Sequence, residues 1–229
     1  MFFDSTYILV LFGAAICFWA SMNVKSTYSK YSKTTTSTGI TSQQAAQAIL
    51  QAAGIYDVRI ERIRGDLTDH YSPGEKVLRL SDTVYGSTSV AAIGVAAHEC
   101  GHAIQHNVGY IPLKLRSVSV PVANFGSMLS WPLIFIGVAL GAIGLAKFGM
   151  ILFLFVVFFQ IVTLPVEFNA SRRALNVLEK RNLLAGNELA SAKKVLSAVA
   201  MTYVAVVFSS ILQLLRLVLL VQGTGRRRR

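Results

Sequence analysis

"GMILFLFVVFFQIVTLPV", residues 149–166, decides the fold class. It is an apolar run without a charged residue, long enough to cross a bilayer as a helix. A second run, from about Val120 to Ala146, precedes it, with "KFG" (147–149) at the junction. Two runs so closely joined make a helical hairpin, with both outer ends on the same side of a membrane. Two further runs flank this hairpin. "TYILVLFGAAICFWASM", Thr6 to Met22, lies near the amino terminus. A cleaved signal peptide would carry basic residues before the run and small ones at its end. Here Asp4 precedes it, and bulky Phe18 and Trp19 stand near its end, so it reads as an uncleaved anchor. The fourth run, about Ala198 to Val221, is interrupted by Arg216 and reads either as a span or as a helix lying in the interface.

Composition points the same way. The chain has 229 residues, 53% hydrophobic and only 14% charged, where a soluble domain carries roughly 25% charged residues. Mean hydropathy is +0.53. The net charge of +11 would suggest nucleic acid in a soluble domain. In so apolar a chain it reads instead as positive-inside topology, and no nucleic-acid partner is expected. Lys25, Lys30, Lys33, Lys114, Arg116, Arg172, Arg173, Lys193 and Lys194 all fall near span ends on one side, and only Lys147 in the turn on the other. That bias makes the soluble parts cytoplasmic, the amino terminus outward, and the location a multi-pass inner (cell) membrane. The tail "GTGRRRR", 223–229, conflicts with this if the fourth run crosses. Either the run does not cross, or the tail is foreign to the natural chain. Two cysteines, Cys17 and Cys100, do not make a disulfide framework.

The expected organisation follows: an anchor at 1–22, a polar linker at 23–39, and a cytoplasmic part at 40–119. The hairpin takes 120–166, a charged amphipathic helical stretch broken near Gly186 takes 167–197, the fourth helix 198–222, and the basic tail 223–229. In the cytoplasmic part, "TSQQAAQAILQAAG" (41–54) reads as a helix capped by Thr41 or Ser42 and stopped by Gly54. "DVRIERI" (57–63) alternates like a strand. "DLTDHY" (66–71) and "KVLRLSD" (76–82) flank "SPGE" and form a hairpin turned by Pro73 and Gly74. "STSVAAIGVAAHECGHAIQHNVG" (87–109) is a long helix entered through Ser87 or Ser89 and closed near Gly109. The fold class is therefore a mainly α integral membrane protein, with three to four membrane helices and a small α+β cytoplasmic part.

That last helix carries His98, His102 and His106, three of the chain's four histidines. His98-Glu99-Cys100-Gly101-His102 is HExxH. Residues four apart on a helix are separated by about 40° of rotation, so the two imidazoles share a face and can share one zinc ion. Glu99, one residue on, is placed to reach a water at the metal rather than the metal itself. Apart from Glu99, no charged residue lies between Ile93 and Gln105, and burying such a polar set is costly unless something pairs it. A catalytic zinc needs a third protein ligand. His106 is four residues further on, but three ligands at successive i+4 positions climb the helix too steeply for one ion. Glu167 directly follows the third apolar run, and the hairpin returns it to the membrane face that carries His98. Pro165 before it suits a helix start or kink. His70 is a candidate substrate contact, and His106 a surface or supporting residue. Cys100 points away from the metal on a regular helix and is read as packing. Arg172 and Arg173 are candidate oxyanion stabilisers or simply positive-inside charges. "GVALG", 137–141, is either a small-xxx-small packing motif or the close contact of the second and third spans.

"GVAAHECGHAIQ" and "LPVEFNASRRAL", with "LTDHYSP" and "LRLS" upstream, resemble the YugP-type bacterial membrane zinc metallopeptidases, relatives of the HtpX and CAAX-prenyl-protease group. The resemblance runs from about residue 40 to 215. It implies a membrane-embedded glutamate-zincin (gluzincin) architecture with one catalytic zinc held by His98, His102 and Glu167, and Glu99 as catalytic base. The HtpX-like pattern has an aspartate four residues after the ligand glutamate to orient a zinc histidine. Ser171 stands there instead, so Ser171 and Asn169 are the candidate substitutes. An edge strand over the active-site helix, from 77–81 or 66–71, would hold an extended substrate by β-augmentation, or else be an ordinary structural strand. The expected activity is zinc metalloendopeptidase near the cytoplasmic membrane face. Expected partners are a protein or peptide substrate, membrane proteins included, and the bilayer, with a homo-oligomer allowed. Two other readings are a membrane scaffold or lipid-binding protein with a structural zinc, and a site-2-type intramembrane protease.

Overall fold

The structure, a computed structural model, describes residues 5–226. Asp4 and the last three arginines of the basic tail, on which two of the sequence readings rest, lie outside the described residues. In chain order the elements are α1 (Tyr7–Tyr31), α2 (Ser42–Ala52), β1 (Arg59–Ile63), β2 (His70–Ser72), β3 (Val77–Ser81), α3 (Val90–Asn107), α4 (Ile111–Ala139), α5 (Ile143–Lys180) and α6 (Asn187–Arg226). Among the described residues four helices are long and apolar enough to cross a membrane: Tyr7–Tyr31, Ile111–Ala139, Ile143–Lys180 and Asn187–Val221. The protein is thus mainly α and of membrane type. It divides into two units, Met1–Ser21 with Leu115–Leu164 and Thr202–Arg229, and Met22–Lys114 with Pro165–Met201.

The first unit is built from apolar helices that approach closely where side chains are small. A Cβ on Gly137 would meet the Ala146 backbone nitrogen at 2.4 Å, and one on Gly149 would meet the Ser130 carbonyl at 2.8 Å. "GVALG" therefore opens at the close contact of α4 with α5. The turn between them is not at "KFG". It lies at 140–142, where Gly141 takes a φ of 66°, and Lys147 is inside α5. Hydropathy misses this reversal because the residues on both sides of it are apolar. The marker is a glycine free to enter the left-handed region. α1 and α6 run antiparallel. A Cβ on Gly13 would meet Ser209 Oγ at 2.6 Å, Cys17 Sγ donates to the Ala205 carbonyl, and Phe12 meets Phe208 edge-on. Arg216 stacks over the Tyr7 ring, 5.1 Å from its centroid. The arginine in the fourth run therefore sits opposite the first turn of α1, and α6 continues through it unbroken.

The second unit carries the sheet, ordered β1-β3-β2. β2 and β3 are the antiparallel hairpin, and β1 adds parallel to β3, with Arg59 opposite Val77 and Ile63 opposite Ser81. β2 is an edge strand. Thr41 caps α2 in a reciprocal capping box with Gln44, which satisfies two otherwise orphaned N–H groups. Ser89 caps α3 through Ala92. Ile49, Leu50, Leu78, Leu80, Ile93, Leu178 and Leu184 are fully buried between α2, β3, α3 and the lower parts of α5 and α6. Three boundaries differ from the sequence expectation. The first eight residues of the polar stretch 24–39 belong to α1, and the remainder is tied to the entry of α3 by Thr36 N–H to the Thr88 carbonyl and Val90 N–H to that of Thr34. α4 starts at Ile111, well before its apolar run. α5 contains Pro165 inside it, so the third run and the charged stretch after it are one helix. In each case a helix propagates past the composition change because adding one more residue to a formed helix is cheap.

Candidate metal centre

α3 and α5 make the site. They touch at Gly101, where an added Cβ would meet the Ala170 carbonyl at 2.4 Å. Only glycine permits this approach, and it brings Glu167 on α5 against the two histidines of α3. Glu167 Oε2 lies 3.2 Å from His98 Nε2 and 3.6 Å from His102 Nε2. The donor atoms of the three residues all fall within 4.8 Å of one another, a set that could hold one metal ion. Glu167 and His98 are buried, and the His102 side chain is 12% exposed. A carboxylate carried so deep needs cationic or metallic company.

The far side of each ring is also paired. His98 Nδ1 lies 3.0 Å from Ser171 Oγ, and His102 Nδ1 lies 3.1 Å from Gln105 Oε1. For each Nε2 to offer its lone pair to a metal, the ring proton must sit on Nδ1, and each Nδ1 has an acceptor waiting. Ser171, which stands where an aspartate was expected, does face a candidate ligand histidine. Gln105 is itself fully buried and donates to the Val166 carbonyl at 2.8 Å and to Asn169 Oδ1 at 3.0 Å. Asn169 in turn accepts from Arg173 Nε at 2.7 Å, and the Arg173 guanidinium lies over Tyr110. Asn169 and Arg173 thus act on His102 through Gln105. Nothing in the HExxH pattern itself marks Gln105 as a ligand-orienting group. The available signal was its position three residues after His102, which puts both on one helix face.

Glu99 is on the same helix but not in the donor group. Its Oε2 accepts the Tyr71 backbone N–H of edge strand β2 at 3.0 Å. Burial pushes the Glu99 carboxyl above its ordinary value, against the pull of His102 and His98. A carboxylate shifted upward in this way accepts a proton more readily than an ordinary one. Tyr71 reaches along α3, and its hydroxyl lies 2.9 Å from His106 Nδ1. His106 is therefore placed against β2, and the donor group does not include it. Nothing in the local sequence marks Tyr71, because its role depends on where the strand crosses the helix. His70 pairs with the Thr68 carbonyl and with Arg79. Arg172 is exposed, and among the described residues it makes no hydrogen bond or ion pair with the triad. The Cys100 thiol points to the Ala46 carbonyl on α2, and burial pushes its pKa up, so it is packing.

The profile of a family described as "Putative neutral zinc metallopeptidase" matches residues 6–222. The "Putative membrane protease YugP" of Bacillus subtilis (strain 168) is 47% identical over 213 residues, 93% of this chain and 94% of that protein. No solved structure matches. The chain belongs to this zinc metallopeptidase family.

Proposed function

We propose that this family member is a membrane-bound zinc metalloendopeptidase of the glutamate-zincin type, cutting peptide bonds near the cytoplasmic face of the inner membrane. One observation carries the reading: two imidazoles and a buried carboxylate converge on one point, with the Glu99 carboxylate beside them. Two histidines and a glutamate are a donor set for catalytic zinc, with one position left for water or substrate. Among the described residues the group has three donors, whereas a structural zinc is closed by four. This favours catalysis over a scaffold with a structural ion.

His98, His102 and Glu167 would hold the zinc, and Ser171 and Gln105 fix the two ring orientations. Bound zinc supplies Lewis acidity, lowering the pKa of water and polarising the scissile carbonyl. Glu99 takes the proton from the attacking water and hands it to the leaving amine nitrogen. The outer edge of β2 runs past Glu99, and an extended peptide adding to it would take the Tyr71 N–H from Glu99 and lie across the same helix. Arg173, committed to Asn169 and Tyr110, supports His102 through Gln105 rather than meeting the substrate oxygen.

The test is Glu99→Gln in the purified full chain. Loss of cleavage of an unstructured protein with zinc still bound one to one supports the reading. A mutant that cleaves like the wild type, or a wild type that binds zinc but cuts nothing while Glu167→Gln leaves zinc affinity unchanged, refutes it.

A further inference from the structure

Beside the centre lies a second concavity that the peptidase reading does not use. It opens between α5 and α6, has a volume of about 820 Å³, and is lined by Phe168, Arg172, Leu175, Leu189, Lys193 and Met201 among others. That is the size of a small-molecule site. Its wall is mostly apolar, and Phe168 and Met201 are 45% and 40% exposed. Its two cations, Arg172 and Lys193, each stand about two helical turns from the connection between the helices at 181–186. They therefore occupy similar heights on opposite walls. Among the described residues neither makes a hydrogen bond or ion pair. The one acid in the lining, Glu179, lies about two turns from Arg172, toward the connection. A neighbouring cavity on the other flank of α6 shares Lys193 and adds Lys30 and Lys194.

The order of side chains along the groove is that of a lipid. Followed along α5 and α6, the cations give way to Phe168 and Met201, and beyond them both helices run into the apolar stretches. Paired cations at the end of an apolar stretch fit a phosphate at the headgroup level, and the apolar lining fits the start of an acyl chain. We propose that this groove binds an anionic glycerophospholipid, with its phosphate between Arg172 and Lys193 and an acyl chain laid along Phe168 and Met201. Ser171 is also in the lining. The occupant therefore rests one hydrogen bond from His98, 3.0 Å across the Ser171 contact. The proposal is independent of the proteolytic reading and is tested without measuring cleavage.

The full chain is reconstituted in phosphatidylcholine nanodiscs carrying a trace of phosphatidylglycerol with a diazirine near the head of one acyl chain. After photolysis the labelled peptides are mapped. The expected result is concentrated labelling of the α5 and α6 peptides that carry Phe168 and Met201. In Arg172→Ala/Lys193→Ala that labelling falls at least ten-fold, and in the charge-keeping Arg172→Lys/Lys193→Arg it is retained. Zinc content equal to wild type shows that each variant is folded around the centre. Four results overturn the proposal: labelling spread evenly over the apolar runs, labelling unchanged in the alanine pair, equal labelling by a diazirine phosphatidylcholine, or loss of labelling in the charge-keeping pair. Competition by millimolar inorganic phosphate would assign the site to free phosphate, and displacement by an apolar peptide but not by phosphatidylglycerol would assign it to a protein segment. Either also overturns it.

Discussion

Gly101→Ala is the sharpest test of how the centre is built. In an isolated helix the change would stabilise by about 1 kcal/mol, since alanine is the better helix former. Here the new Cβ would stand 2.4 Å from the Ala170 carbonyl oxygen, with the Ala170 carbonyl carbon at 2.9 Å. The neighbour is backbone in the middle of α5, so no side chain can swing away. An ordinary carbon–oxygen contact needs about 3.3 Å or more, so α3 and α5 must separate by about 1 Å there. Overpacking of this kind costs about 1–3 kcal/mol, which exceeds the propensity gain. The larger effect is on the metal. His98 and His102 sit on α3 and Glu167 on α5, one helical turn or less from the contact on each side. A metal site tolerates about ±0.2 Å in its ligand distances. A separation several times larger should lower zinc affinity by at least ten-fold. Gly94→Ala is the internal control, because its Cβ would meet Ala192 Cβ at 3.5 Å, an ordinary contact on the same helix. Zinc affinity is measured by competition with a chromogenic chelator, and folding by the thermal midpoint with and without zinc. The expected pattern is weak zinc binding in Gly101→Ala and wild-type binding in Gly94→Ala. Wild-type zinc affinity in both would refute the idea that the helix contact sets the donor geometry.

Other consequences are testable in the same protein. Ser171→Ala removes the partner of His98 Nδ1 and should weaken zinc binding by about 10–100-fold, with Ser171→Asp restoring it; equal affinity in all three would show that the bond orients nothing. Gln105→Leu should be worse than Ser171→Ala for folding, because it removes three contacts of a fully buried amide, to the Val166 carbonyl, to Asn169 Oδ1 and to His102 Nδ1, where Ser171→Ala removes one, and thermal melts of the two variants would show the order. Activity requires Glu99 ionised, and burial raises its pKa, so the acid limb of the wild-type kcat/KM profile should lie above the ordinary carboxylate range; a limb at or below that range would contradict the burial. Gly137→Leu should split the α4–α5 contact, where even a Cβ meets Ala146 at 2.4 Å, and lower the yield of folded protein from membranes without touching any donor.

The sequence by itself determined the candidate donor residues and the membrane character. Four apolar runs are a property of composition along the chain, and two histidines four apart share a helix face whatever the helix packs against. The β2–β3 hairpin and both helix caps, Thr41 and Ser89, were also legible, because turns and caps are specified by neighbours. Even Glu167 could be reached, since a hairpin returns the chain to the side it left. Element ends were less legible. α5 runs through Pro165, and the reversal lies at Gly141 rather than at Lys147, because helices extend past composition changes and a left-handed turn leaves little trace in hydropathy. What only the tertiary structure decided is the surroundings of the donors. Gln105 behind His102, Tyr71 over Glu99, and His106 against the strand instead of the metal all depend on how α3 crosses α5 and β2. That crossing is fixed at Gly101 by a contact between residues 69 apart in sequence. A periodic pattern shows which face of a helix is apolar, but not which backbone will press against it.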